Sequence, residues 1–123
     1  MKKFLVIGNP IEHSLSPKLH NYWIKNNGIG AVYEKIKLDE DELENIVLQI
    51  KQKKIYGANI TVPFKKAIIP FLDELTIEAD NTQSVNTLFL KDNKVVGRIY
   101  YVWPIVLRQM AADPKAVHVE QDL

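Results

Sequence analysis

The stretch Asn59-Ile60-Thr61-Val62-Pro63-Phe64-Lys65-Lys66 puts two small polar side chains, a rigid turn and a lysine directly behind an apolar run. At strand period Asn59 and Thr61 share one face, while the β-branched Ile60 and Val62 face a core. Pro63 supplies no ladder donor, so it stops the pairing and sets the direction in which Phe64 and Lys65 leave the sheet. Asn offers a donor and an acceptor, Thr a hydroxyl, and Lys an ammonium whose pKa falls when it is desolvated. Together these suit a small polyhydroxylated or carbonyl ligand. An ordinary strand end followed by a solvated lysine accounts for the same residue types.

Two other places carry groups of similar chemistry. In Ile11-Glu12-His13-Ser14-Leu15-Ser16-Pro17, Ser16 followed by proline reads as an N-cap with proline in the first helical position, and Leu19, Tyr22 and Trp23 supply an apolar face for a helix over 17–27. Ser14 and Ser16 then stand at a helix N-terminus, where backbone N–H groups and the positive end of the dipole favour a carboxylate or phosphate. One capping serine and one incidental serine is the competing account. Asn86, in Ser84-Val85-Asn86-Thr87, is a polar side chain early in an apolar strand and needs partners if buried, whether a ligand or a neighbouring loop.

The elements that must position these groups follow from periodicity. Residues 4–7 are a continuous apolar run ended by Gly8-Asn9-Pro10, the pattern of a central strand covered on both faces. Residues 31–38 form a second strand. Asp39 and Glu42 make a capping box, Leu43, Ile46, Val47 and Ile50 a helical stripe, and Lys51, Lys53 and Lys54 a basic last turn. The third strand covers 58–62. Residues 67–75 read as a short helix interrupted at Pro70, and 76–80 as a further helical turn or two. Strands at 84–90 and 95–97, joined by an Asx-type turn at 91–94, form a hairpin at the sheet edge. The expected fold is α/β: a single three-layer domain with a largely parallel mixed sheet flanked by helices and an edge hairpin.

Composition narrows the function classes. At 123 residues and 46% hydrophobic content the chain has material for one core. Sixteen basic against fifteen acidic residues give no electrostatic case for nucleic acid or an anionic membrane. The absence of cysteine excludes disulfides and thiolate chemistry and fits a reducing, cytoplasmic setting. Met1-Lys2-Lys3 before an apolar run imitates a signal peptide, but that run is only four residues long. His13, His20 and His118 show no metal-ligand pairing. Gly28-Ile29-Gly30 follows a helix and lacks the third glycine of a dinucleotide fingerprint.

The three motifs Ser14-Leu15-Ser16-Pro17, Asn59-Ile60-Thr61-Val62-Pro63-Phe64-Lys65 and Ser84-Val85-Asn86-Thr87 occur in an order and at spacings that resemble the substrate-binding domain of shikimate dehydrogenase, over residues 3–97. The resemblance implies that Ser14 and Ser16 hold the substrate carboxylate, that Asn59, Thr61 and Asn86 hydrogen-bond ring hydroxyls, and that Lys65 is the catalytic residue at the hydroxyl being oxidised. In that family the lysine works beside an aspartate while a hydride passes to the nicotinamide of NADP. Here Tyr101 stands where the aspartate belongs, and Tyr does not replace a carboxylate as lysine's ionic partner at neutral pH.

The domain reading is therefore 1–97 for the shikimate-dehydrogenase-like unit and 98–123 for a divergent tail. After Gly97 only 26 residues remain, fewer than the roughly 30 of a βαβ unit, and none is glycine. The expectation is a substrate-binding chain that carries no cofactor site, binds no NADP and is inactive alone. The alternative is a non-catalytic small-acid-binding or dimerising module on the same fold. Tyr100, Tyr101 and Trp103 in the tail call for burial on the sheet or in a homo-oligomer. A truncation, a shifted reading frame, an engineered terminus and a natural stand-alone domain all fit the break.

Overall fold

The computed structural model describes residues 1–99. The apolar run at residues 4–7 lies inside strand β1 (Lys2–Gly8) and is buried on both faces. Because successive strand side chains point to opposite faces, Leu5 and Ile7 join one apolar cluster and Phe4 and Val6 another. After β1 come helix α1 (Ser16–Asn26), strand β2 (Ala31–Lys37), a 3-10 turn (Glu40–Glu42) running into helix α2 (Leu43–Lys51), and strand β3 (Gly57–Ile60). The rest of the described chain carries strand β4 (Glu74–Leu75), helix α3 (Ile77–Thr82), strand β5 (Thr87–Lys91) and strand β6 (Lys94–Arg98).

The six strands form one mixed sheet in the order β2-β1-β3-β5-β6-β4. Pairings β1–β2, β1–β3 and β4–β6 are parallel, and β3–β5 and β5–β6 antiparallel. Helix α1 covers the Phe4 and Val6 face through Ile24. Helix α2 covers the opposite face, where Leu43, Ile46, Val47 and Ile50 meet Leu5, Ile7, Ala58 and Ile60. This is the three-layer α/β arrangement expected. The capping box forms as read, with the Asp39 N–H donating to Glu42 Oε1 at 2.9 Å. The turn between β5 and β6 places Asp92 and Asn93 at φ 52° and 63°, the left-handed conformation that Asp and Asn accept most readily after glycine.

Five local expectations need correcting. Helix α1 buries His20 and Ile24, whereas Leu19 and Tyr22 of its expected apolar face are exposed. The β5–β6 hairpin is not the sheet edge, because β4 pairs beyond it with β6. Residues 67–75 are not an interrupted helix: a 3-10 turn (Ile69–Phe71) precedes β4. There the Asp73 N–H donates to Val95 O at 3.0 Å, the Val95 N–H to the Asp73 carboxylate at 2.8 Å and the Thr76 N–H to Gly97 O at 3.1 Å, so β6 claims the backbone that a helix needs. Strand β3 ends at Ile60, and Val62 is 64% exposed instead of facing a core. The Phe64 N–H donates to Thr61 O at 3.0 Å, closing a turn around Pro63 that swings Val62 outward. Finally, Ser16 is the first residue inside α1 and not its N-cap. Leu15 takes the cap position, and the Ser14 hydroxyl accepts the Ser16 N–H at 3.3 Å.

The readings of residues 100–123, including those of Tyr100, Tyr101 and Trp103, lie outside the described residues. Among the described residues, no helix is long and apolar enough to cross a membrane.

Candidate functional site

Register decides which ends of the strands meet. Val6 pairs with Asn59 and Ile7 with Ile60 in parallel, so the carboxyl ends of β1 and β3 open on the same side of the sheet. Strand β5 runs the other way with Thr87 opposite Asn59, which brings its amino end, and Asn86 before it, to the same place. The segment between β1 and α1 crosses above. Open α/β sheets bind ligands in such a crevice beyond the carboxyl ends of parallel strands.

A cleft of about 260 Å³ lies there, lined by Val6, Pro10, Ile11, His13, Ser14, Ser16 and Thr61. That size suits a small molecule. Gly8 makes the close approach possible: a Cβ at this position meets Thr61 Cγ2 at 2.5 Å and Val62 O at 3.1 Å. The Asn9 N–H donates to Val62 O at 3.1 Å, and its side-chain amide to Leu38 O at 3.2 Å, so Asn9 ties the ends of β2 and β3 together across β1. Lys35 Nζ donates to Glu12 O at 2.8 Å and holds the outer wall of the loop. The Glu12 carboxyl sits below its usual range, chiefly because backbone N–H groups hydrogen-bond it. No acidic residue occupies the first turn of α1, so no carboxylate of that turn competes for its free N–H groups.

Beside the cleft runs a chain of hydrogen bonds. The Tyr33 O–H donates to Asn59 Oδ1 at 2.6 Å. Asn59 Nδ2 donates to Asn86 O and to Thr87 Oγ1, each at 3.2 Å, and the Thr87 hydroxyl donates to Asn86 Oδ1 at 2.9 Å. Tyr33 and Thr87 are buried, and Asn59 and Asn86 half-buried. Burial pushes the Tyr33 phenol far above its ordinary value, opposed in part by the Ser16 hydroxyl beside it. His20 stacks on Tyr33 with centroids 4.0 Å apart and planes 7° from parallel. Its Nδ1 lies 2.9 Å from Ser16 O; a carbonyl only accepts, so Nδ1 carries the proton. Burial lowers the His20 pKa.

The six residues singled out in the sequence are thus placed unequally. Ser14, Ser16 and Thr61 line the cleft. Asn59 and Asn86 join it through the hydrogen-bonded chain. Lys65 is exposed and outside the cleft lining, although the Val85 N–H donates to its carbonyl at 2.9 Å and fixes its backbone. Reading the sequence missed Tyr33, His20 and Thr87. Their signal was available only as polar aromatics or a hydroxyl at apolar positions, a pattern that many ordinary cores share.

Asp39, Asp41 and Glu42 bring carboxylate oxygens within 4.8 Å of one another, all exposed, and Asp39 and Glu42 are already engaged in the capping box. Gly8 ends β1 and the loop from there to α1, residues 9–15, contains no glycine, so among the described residues that loop lacks the glycine-rich turn of a dinucleotide cradle.

The fold and site define a class: a small α/β domain with a polar cleft for a compact ligand at the carboxyl ends of parallel strands. Residues 6–88 match the family model described as the shikimate dehydrogenase substrate binding domain. The NADP(+)-dependent shikimate dehydrogenase of Pelagibacter ubique is 65% identical over 96 residues, which cover 78% of this chain and 36% of that protein. Among solved structures, shikimate dehydrogenase from Aquifex aeolicus aligns with a TM-score of 0.74 at 38% identity, over 80% of this chain and 37% of that one. Shikimate 5-dehydrogenase from Listeria monocytogenes, solved with shikimate and NAD, aligns with a TM-score of 0.76 at 31% identity, over 80% of this chain and 34% of that one. The chain belongs to the shikimate dehydrogenase family through its N-terminal substrate-binding domain, and it spans about a third of the length of the relatives it matches.

Proposed function

We propose that this chain binds shikimate, or its oxidised 3-keto counterpart, in the cleft between β1, β3 and α1. The observation that carries the reading is the convergence of Ser14, Ser16 and Thr61 on one small cleft at a helix N-terminus, where hydroxyls and the dipole favour a carboxylate. In this reading Ser14 and Ser16 hold the carboxylate, Asn59, Thr61 and Asn86 meet ring hydroxyls, and Lys65 approaches the hydroxyl that is oxidised and handles its proton. In this reading NADP, which the relatives use, is not held by the described residues. Tyr101, at the place of the family's aspartate in the sequence pattern, supports a chain that binds without turning over by itself. Residues 1–97 are the binding unit in this proposal and 98–123 a divergent tail.

Titration of the purified chain with shikimate, followed by NMR or calorimetry, tests the reading. Saturable binding is expected, weakened about tenfold or more in a Ser14→Ala/Ser16→Ala variant that loses charge-assisted hydrogen bonds. A folded chain that does not bind at the highest soluble ligand concentration overturns it. The exposure of Lys65 outside the cleft lining favours a second reading, a non-catalytic binding module on the same fold. That module binds shikimate equally well with Lys65→Ala, whereas the first reading expects a loss.

A further inference from the structure

We propose that Tyr33 is the positioning residue of the cleft, holding the Asn59 carboxamide in one orientation and linking it to the Ser16 end of α1. The inference deepens the ligand-binding reading above and rests on it.

Three contacts immobilise Tyr33 against α1. The Asn21 side chain brackets its backbone, donating to Tyr33 O at 2.8 Å and accepting from Tyr33 N at 3.0 Å. The His20 ring stacks on the phenol face. His20 in turn is hydrogen-bonded through Nδ1 to the carbonyl of Ser16. The phenol therefore moves with the helix that carries Ser16, yet its hydroxyl reaches past β1 to Asn59 on β3 at 2.6 Å. In the sheet β1 separates β2 from β3, so no backbone pairing connects them, and Tyr33 supplies a direct tie.

The phenol, the Asn86 carbonyl and the Thr87 hydroxyl together fix the chemistry that Asn59 offers. Asn86 O only accepts, so the amide nitrogen of Asn59 must face it, and Oδ1 must face the phenol. Both Nδ2 hydrogens are then committed, one to Asn86 O and one to Thr87 Oγ1. The capacity left on Asn59 is the second lone pair of Oδ1. Asn59 thus offers an acceptor to a ligand hydroxyl, which is the donor. Without the phenol, Oδ1 loses its partner, and the carboxamide is held by its Nδ2 contacts to Asn86 O and Thr87 Oγ1 alone.

Tyr33→Phe in the full chain is the test, since it keeps the stacking ring and removes one oxygen. With shikimate as the probe, affinity is expected to fall about tenfold. In an Asn59→Ala background the same substitution is expected to change affinity less than twofold, because the two groups act as a unit. Equal losses in both backgrounds overturn the proposal, since general damage to the fold adds independently. The side-chain amide resonances of Asn59 give a ligand-free readout: Tyr33→Phe removes the partner of Oδ1 and is expected to shift them. Unmoved resonances overturn the proposal whether or not shikimate binds. Absence of binding by the unsubstituted chain overturns the ligand reading instead, and the resonances still decide whether Tyr33 positions Asn59.

Discussion

The two faces of the sheet divide the labour of this domain. On the α2 face sixteen buried apolar residues form one cluster among the described residues, from Leu5 and Ile7 across Ala58 and Ile60 to Leu88 and Val95. On the α1 face a smaller cluster of Phe4, Val6, Ile11, Ile24, Ala31 and Tyr33, with Trp23, Ile29 and Tyr56 packed against it, adjoins the hydrogen-bonded chain of Tyr33, Asn59 and Thr87. The same strands serve both sides. In β3, Ala58 and Ile60 enter the large core while Asn59, between them, belongs to the polar chain. Burial of polar groups costs stability unless every group is paired. A domain can afford such a layer when the opposite face supplies the hydrophobic stabilisation.

The sharpest way to break this comparison is to empty the α2 face. Leu88 is fully buried there, and Leu88→Ala is expected to cost about 2–5 kcal/mol by urea denaturation, a large fraction of a typical total. A loss under about 1 kcal/mol removes the claim that this face carries the stability.

A smaller effect with a different footprint is expected from Gly8→Ala, whose new methyl meets Thr61 and Val62 O on the cleft side. The cost is about 1–3 kcal/mol, with amide shifts concentrated at residues 9–16 and 59–63. Shifts spreading through α2 instead mean that the two faces are coupled more tightly than the apolar clusters suggest.

The smallest effect is a pH slope. His20 is held neutral by burial, its folded pKa lying below the unfolded value of about 6.5. The unfolded chain therefore binds the proton first. The contribution is whole above about pH 6.5 and is lost as pH falls toward the folded pKa, with a limiting slope of about 1.4 kcal/mol per pH unit for one proton. His20→Phe, which keeps a ring against Tyr33, is expected to flatten stability below about pH 6.5. An unchanged slope assigns the titration elsewhere. Asp73 acts in the same sense at lower pH. The Val95 N–H, ahead of Lys51, holds its carboxyl below the usual range, so its contribution is lost as pH falls below about 4.

Much of the fold was legible because its signals are local. The run at residues 4–7 is apolar at every position, which only a strand covered on both faces requires. The Asp39–Glu42 box and the stripe Leu43, Ile46, Val47, Ile50 mark α2 without reference to any other element. The residues at 67–75 misled for the opposite reason. Their helical reading was locally reasonable, but Asp73 and Thr76 exchange hydrogen bonds with β6 from twenty and more residues away. Val62 misled likewise, since strand alternation continued on paper past the point where the turn at Pro63 redirects the chain.

By itself the sequence determined the chemical types available to this protein: serines at the start of a helix, Asn59 and Thr61 at the end of a strand, a lysine after a proline turn, and an order of motifs that identifies the family. Only the tertiary structure decided how these groups are assembled. Parallel register between β1 and β3 brings Ser14, Ser16 and Thr61 to one cleft, and antiparallel β5 delivers Asn86 and Thr87 to Asn59. Tyr33 joins α1 to β3 across an intervening strand. Side-chain type is a local property of the chain, whereas hydrogen-bond partnership depends on strand order and register, which arise from packing between residues far apart in sequence.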